Sequence, residues 1–224
     1  MISSPTVLVA SDDAFELATL SAALRLQAIN IVAEASTADI AENLYKFLSP
    51  QVALIYLQFA GSDALTLVNK FRKVNPLLGV VLMTACPDLR LLGLLEKQIP
   101  QGSQVILKRS VADLNVVSHA IGRSISAAQG KEKMAWIDSH GSLHENAFAS
   151  ILNDFTDIQI ETFRLLANGL SNSEIAKVRF VSEKSVEQIV ARIAQHLQVI
   201  PDRAQNLRVV LTGEYFKWIG APRH

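Results

Sequence analysis

The sequence predicts two domains of different class: an α/β domain on a five-stranded parallel sheet, then an all-α domain of four helices. Three observations carry this. Short, unbroken apolar runs alternate with amphipathic stretches as far as residue 126. Strands apolar on both faces belong to parallel sheets covered by helices on both sides. Past residue 155 the strand-like runs stop, and apolar residues recur only at helical spacing. The boundaries that follow are 1–126 for the α/β domain, 127–152 for a linker and 153–224 for the helical domain.

In the first domain, Thr6–Ala10 (TVLVA) reads as a strand, and Phe15, Leu17, Ala18, Leu20 and Leu24 recur as one helix face. Ile29–Ala33 is β-rich, Ala38–Leu48 is helical, and Val52–Leu57 (VALIYL) is an apolar run of strand length. Leu65, Val68 and Phe71 mark a helix that Asn75-Pro76 ends. Gly79–Thr84 (GVVLMT) is the fourth strand, Leu89–Lys97 a helix, and Val105–Leu107 the fifth strand, followed by a helix from Ser110 to about Ala128. Ala127–Lys133 and Asp138–Ser142 are small, polar and turn-rich, hence the linker, with a short element at Ala135–Ile137.

In the second domain, Thr156 with Gln159 is a capping-box start. Ile160, Phe163 and Ala167 share a face, and Gly169 closes that helix. Ser171 with Glu174 opens a short helix to about Arg179. Ser182 caps a third, in which Val186, Ile189, Val190, Ile193 and Leu197 form one apolar stripe. Pro201-Asp202 breaks the chain before a fourth helix that runs to about Trp218.

Composition narrows the function classes. Half of the 224 residues are hydrophobic, and 21 basic residues balance 21 acidic ones. Bulk charge therefore supplies neither a polybasic membrane anchor nor a general affinity for nucleic acid; such affinity must come from a local patch. Cys86 is the single cysteine, which rules out an intrachain disulfide and a cysteine-rich metal cluster. No apolar run approaches the ~18 residues that span a bilayer, and the N-terminus lacks a leader pattern. A cytoplasmic protein is the expectation.

Short helix, tight turn, longer helix are the parts of a helix-turn-helix, whose second helix enters the DNA major groove. Phe155–Phe163, the run Ala167-Asn168-Gly169-Leu170-Ser171-Asn172-Ser173-Glu174-Ile175-Ala176, and Phe180–Val186 (FVSEKSV) resemble the LuxR-type (NarL/FixJ) DNA-binding domain over about Phe155–Leu211. The resemblance implies binding to double-stranded DNA as a homodimer, with the fourth helix pairing across a two-fold axis. It places Lys184, Ser185, Glu187, Gln188, Ala191 and Arg192 on the DNA-facing side, with Lys177 and Arg179 on flanking phosphates. Glu187 stands where the family usually carries Lys. Gln can bond adenine, Glu can accept from cytosine and Ala can touch a thymine methyl. A different target sequence and a weaker affinity are both open, since Glu187 repels phosphate. From Asn153 onward nine Lys/Arg face eight acids, a balance of +1, so dimerisation should matter for affinity.

The five β/α units of residues 6–126 resemble the receiver domain of response regulators, a flavodoxin-like fold. That family needs acids after strand 1, an Asp ending strand 3, Ser/Thr after strand 4 and Lys after strand 5. Asp12, Asp13, Thr84 and Lys108 fit; Tyr56 stands where the nucleophilic Asp belongs. A phenol of pKa about 10 forms no acyl phosphate, and Mg²⁺ loses a carboxylate ligand. Val105 stands where an aromatic residue often precedes the Lys. Lys108 is expected to neutralise Asp12 and Asp13, with the Tyr56 hydroxyl as a hydrogen-bond partner. A remodelled pocket for a small ligand or protein partner is the alternative.

Other chemistry is sparse. His140 and His144 read as a surface pair, and Cys86 as a buried or loop thiol. With no complete catalytic constellation, an enzyme is not expected, nor a cofactor or bound metal. The expected function is a phosphorylation-independent transcriptional regulator. The alternative is an interaction adaptor or antagonist with reduced DNA affinity.

Overall fold

In the computed structural model the described residues are 4–59, 64–137, 143–144, 152, 154–200 and 204–220. The chain divides into two compact units. The first comprises Met1–Thr84 and Glu96–Ala147; the second comprises Ala85–Leu95 and Phe148–His224. The first part of the connection between the fourth and fifth strands, Ala85–Leu95, thus belongs to the helical unit.

The first unit contains β1 (Thr6–Ala10), α1 (Ala14–Leu26), β2 (Asn30–Ala35), α2 (Ala38–Leu48), β3 (Val52–Tyr56), α3 (Ala64–Val74), β4 (Gly79–Thr84), β5 (Gln104–Leu107), α4 (Leu114–Gln129), β6 (Ala135–Ile137) and β7 (Leu143–His144). The sheet order is β2-β1-β3-β4-β5-β6-β7. Pairings from β2 to β6 are parallel, and β7 is antiparallel to β6. The sheet therefore exceeds the expected five strands. The stretch expected to be a linker supplies β6, because Ala135–Ile137 offers one more apolar run to the open edge of β5.

Alternating residues on one sheet face, among them Val9, Leu54, Val81 and Ile106, form one core with Leu17, Leu20 and Leu24 of α1 and Val117, Ala120 and Ile121 of α4. On the other side α2 and α3 pack together, with the Tyr45 and Phe71 rings stacked at 4.0 Å. Asp13 caps α1, Thr37 caps α2 and Asp113 caps α4, each accepting a backbone N–H. The strand order reverses at β1, so the crevice beyond the carboxyl ends of β1 and β3 is the place where such sheets hold ligands.

The expected helix at Leu89–Lys97 is instead two single-turn 3₁₀ segments, Leu89–Leu92 and Glu96–Gln98. Gly93, at φ +74°, ends the first in the left-handed region that glycine adopts at no cost.

The second unit contains α5 (Asp157–Ala167), α6 (Asn172–Arg179), α7 (Glu183–His196) and α8 (Leu207–Ile219). Thr156 and Gln159 form the full reciprocal capping box. Ser171 accepts from Glu174 N and Ser182 from Ser185 N. Gly169, at φ +86°, lets Leu170 N close back on Leu165 O behind α5. Phe155, Phe163, Ile175, Val186, Val190, Ile193, Leu211 and Tyr215 make the core, together with Cys86 and Leu91. The Tyr215 ring meets Phe163 edge-on at 5.3 Å.

Candidate nucleic-acid interface

The geometry of α7 follows from its period. Val186, Val190, Ile193 and Ala194 are buried on one side. Lys184, Glu187, Gln188, Ala191 and Arg192, at the complementary spacing, are all exposed. Five of the side chains expected to face DNA are therefore together on one open helix surface, preceded by the α6–α7 turn. Ser185 is half-buried, and its hydroxyl shares a hydrogen bond with Ser182 at 2.8 Å. The turn is tight because Phe180 adopts φ +54° with its ring almost wholly exposed, a conformation that carries strain for a non-glycine residue.

The flanking cations differ from each other. Lys177 is exposed, with Nζ 2.6 Å from Glu174 Oε1, and that hydrogen bond raises its pKa. Arg179 is not a free phosphate contact. Its side chain is only 8% exposed; it donates to Thr162 Oγ1 at 2.7 Å and to Glu161 Oε2 at 3.3 Å. It staples α6 to α5, because a buried guanidinium needs acceptors and α5 offers both. The expected phosphate contact of Arg179 would have to share the guanidinium with these two acceptors. A second structural arginine, Arg208 on α8, donates to Asn172 Oδ1 at 2.6 Å and to the Leu170 carbonyl. Sequence spacing carries no sign of either pairing.

The sheet-end crevice gathers the other expected set. Tyr56 ends β3, Thr84 ends β4, and Lys108 follows β5. Lys108 Nζ lies 5.0 Å from the centre of the Tyr56 ring, within cation–π range. It forms an ion pair with Glu16 Oε2 at 2.8 Å, and the charge of Asp13 also acts on it. Partial burial pulls the Lys108 pKa down. The Glu16 hydrogen bond and the charges of Tyr56, Glu16 and Asp13 outweigh it and hold the ammonium above the ordinary lysine range. The Asp13 carboxylate caps α1 by accepting from Glu16 N at 2.9 Å, and Asp12 is exposed. Buried Thr84 donates to Gln58 Oε1 at 3.1 Å. Glu16 was legible in principle, since it follows the capping Asp13 by three residues; Gln58 was not.

This donor set does not fit Mg²⁺. One carboxylate caps a helix and the third position is a phenol. Among the described residues no group of three or more His, Cys, Asp or Glu is disposed to hold a metal ion. His140 lies outside the described residues. Cys86 is buried, and burial pushes its thiol up to about 12. Among the described residues no helix is long and apolar enough to cross a membrane.

Residues 153–210 match the family of bacterial regulatory proteins, luxR family. No curated protein matches the chain. The structure of the response regulator RcsB in complex with DNA is 20% identical, with a TM-score of 0.54 over 96% of this chain and 99% of that one. A structure of two RcsB dimers bound to two parallel DNAs is 19% identical, with a TM-score of 0.55 over 96% and 99%. Likeness at that identity concerns the fold. Residues 153–210 thus form a LuxR-type DNA-binding helix-turn-helix domain, and the chain joins it to a receiver-like α/β unit.

Proposed function

We infer that the protein is a transcriptional regulator that binds double-stranded DNA as a homodimer and does so without phosphorylation of its receiver-like unit. The observation that carries this is the crevice at Tyr56. The position of the nucleophilic carboxylate holds a phenol, and the lysine beside it is already neutralised by Glu16. A phenol at that position cannot form the acyl phosphate that switches a conventional receiver. The outward face of α7 is meanwhile exposed, which supports Lys184 and Arg192 as phosphate contacts and Glu187, Gln188 and Ala191 as base-edge contacts. A helix-turn-helix dimer reads two half-sites about one helical turn apart. The protein is a binding protein on this reading, not an enzyme, and acts in the cytoplasm.

Footprinting of the purified full chain on genomic fragments tests it. Salt-sensitive protection of a two-fold site is expected; absence of protection at low salt would sink it.

One feature favours a second reading, an adaptor or antagonist with reduced DNA affinity. Glu187 is exposed on the reading face while Arg179 is held against α5, so the face carries fewer usable cations than its sequence suggests.

A further inference from the structure

β4 ends at Thr84, and the next eleven residues, Ala85–Leu95, are part of the helical unit. They are built into it from two directions. Cys86 and Leu91 are fully buried in the core with Phe163 and Tyr215. Arg90 spreads its guanidinium across four acceptor groups. Nε meets both oxygens of Asp88 at 3.1 Å. Nη2 meets Asp88 Oδ2 at 2.7 Å and the Leu152 carbonyl at 3.1 Å. Nη1 meets the Phe155 carbonyl at 3.1 Å and Asp157 Oδ1 at 2.7 Å. Phe155 stands just before the Thr156 cap of α5 and Asp157 is its first residue, so Arg90 pins the entry of that helix.

From the other side the buried Tyr215 hydroxyl of α8 donates to the Leu91 carbonyl at 2.6 Å. Gly220, just past α8, lies so close to Ala85 that a Cβ at 220 would collide with the alanine methyl. Gly93 leaves room for the Arg164 guanidinium of α5, whose Nη1 would stand 3.3 Å from a Cβ there.

A strap that merely covered apolar surface would need the leucines and no more. Here a planar fork with all its donors engaged fixes one end of α5, and a buried hydroxyl fixes the last turn of α8. α5 packs directly against the reading helix α7 and also against α8, so it links the two. The outward residues of α7 are exposed while these contacts are made. The contacts therefore accompany an open reading face and do not mask it.

The geometry points to a permissive latch: Ala85–Leu95, fastened by Arg90 and Tyr215, holds α5 and α8 in the arrangement that presents α7, and its release lowers DNA affinity. Only the last step rests on the DNA-binding reading above. The latch begins one residue past Thr84, whose hydroxyl bonds Gln58 two residues beyond Tyr56. It is thus continuous along the chain with the altered sheet-end crevice.

Cys86 is a native reporter, being the single thiol of the chain and buried within the latch. The full-length protein is labelled with an aromatic disulfide reagent at fixed pH, alongside Arg90→Ala and Tyr215→Phe. Each variant should label about tenfold faster, the scale set by losing a hydrogen bond to a charged or buried group. DNA affinity, measured on the sequence that wild type protects, should fall in parallel. Saturating DNA should slow wild-type labelling by a comparable factor, because coupling is reciprocal. Unchanged labelling in both variants overturns the latch. Faster labelling with unchanged or tighter DNA binding overturns its permissive role. Should Arg90→Ala not fold, Tyr215→Phe, which keeps the ring and loses one hydrogen bond, carries the test. Should wild type bind no DNA, the functional reading fails while the labelling rates still decide the latch.

Discussion

The ammonium of Lys108 stands over the ring of Tyr56, 5.0 Å from its centre, and is neutralised by Glu16 at 2.8 Å. A lysine in that position is satisfied from within the protein, with no added anion. Incubation with acetyl phosphate and Mg²⁺ is therefore expected to leave intact mass, oligomeric state and DNA affinity unchanged. A covalent phosphate found on the wild-type chain by intact mass spectrometry would refute this account of the crevice.

The reading face makes separable contributions. Lys184→Ala and Arg192→Ala should weaken binding on all sequences alike and each lower the salt slope by about 1. Gln188→Ala should instead change preference among sequences, by about 1–3 kcal/mol at one base pair. Arg179→Ala should leave the salt slope alone and lower the unfolding midpoint, since Arg179 is bound to Glu161 and Thr162. Titrations at several salt concentrations, with thermal melts, distinguish these outcomes.

Glu187 is the exposed acid among the side chains proposed to face DNA. Replacing it with Lys should raise non-specific affinity and steepen the salt dependence, as one repulsion becomes one attraction. If wild type shows no binding and Glu187→Lys does, the adaptor reading gains and the regulator reading loses.

Burial lifts the Cys86 thiol from 9.0 to about 12. The unfolded chain therefore loses this proton at a lower pH than the native one. The stability linked to the proton is complete below pH 9.0, falls as pH rises, and is gone above about 12. Cys86→Ala should cost stability at neutral pH by leaving a small cavity, yet show a shallower decline between pH 8 and about 10. Urea denaturation across that range measures both.

Gly102 has φ +76°, and a Cβ there would meet the Ala128 nitrogen at 2.5 Å and the Ala127 carbonyl carbon at 2.6 Å. Both are main-chain atoms of α4 and cannot swing aside. Gly102→Ala should destabilise the α/β unit by about 2 kcal/mol or more, read as a lower urea midpoint with unchanged slope.

How far the sequence could be read varies from residue to residue. The capping box of Thr156 and Gln159 was legible because both partners lie within one turn. The exposed set on α7 was legible because burial of Val186, Val190 and Ile193 leaves the opposite positions no other place. The pairing of Arg179 is not legible in the sequence, since the exposure of a long cation depends on acceptors eighteen and seventeen residues away on another helix. Ala135–Ile137 is legible as a short element but not as part of the sheet, because three residues carry too little periodicity to show that a sheet edge awaits them. Leu89–Lys97 looked helical, and Gly93 split it within the helical unit.

What the sequence determined by itself is local: the helical periods, the caps, the apolar strands, and the phenol at position 56 where phosphotransfer chemistry requires an acid. These follow from interactions within a few residues, which spacing records directly. Tertiary structure alone decided which acid neutralises Lys108, which arginine is withdrawn from the surface, and that Ala85–Leu95 belongs with helices encoded much later in the chain. Such pairings form between segments remote in sequence, where geometry and competition for acceptors select the partner and no periodicity announces it.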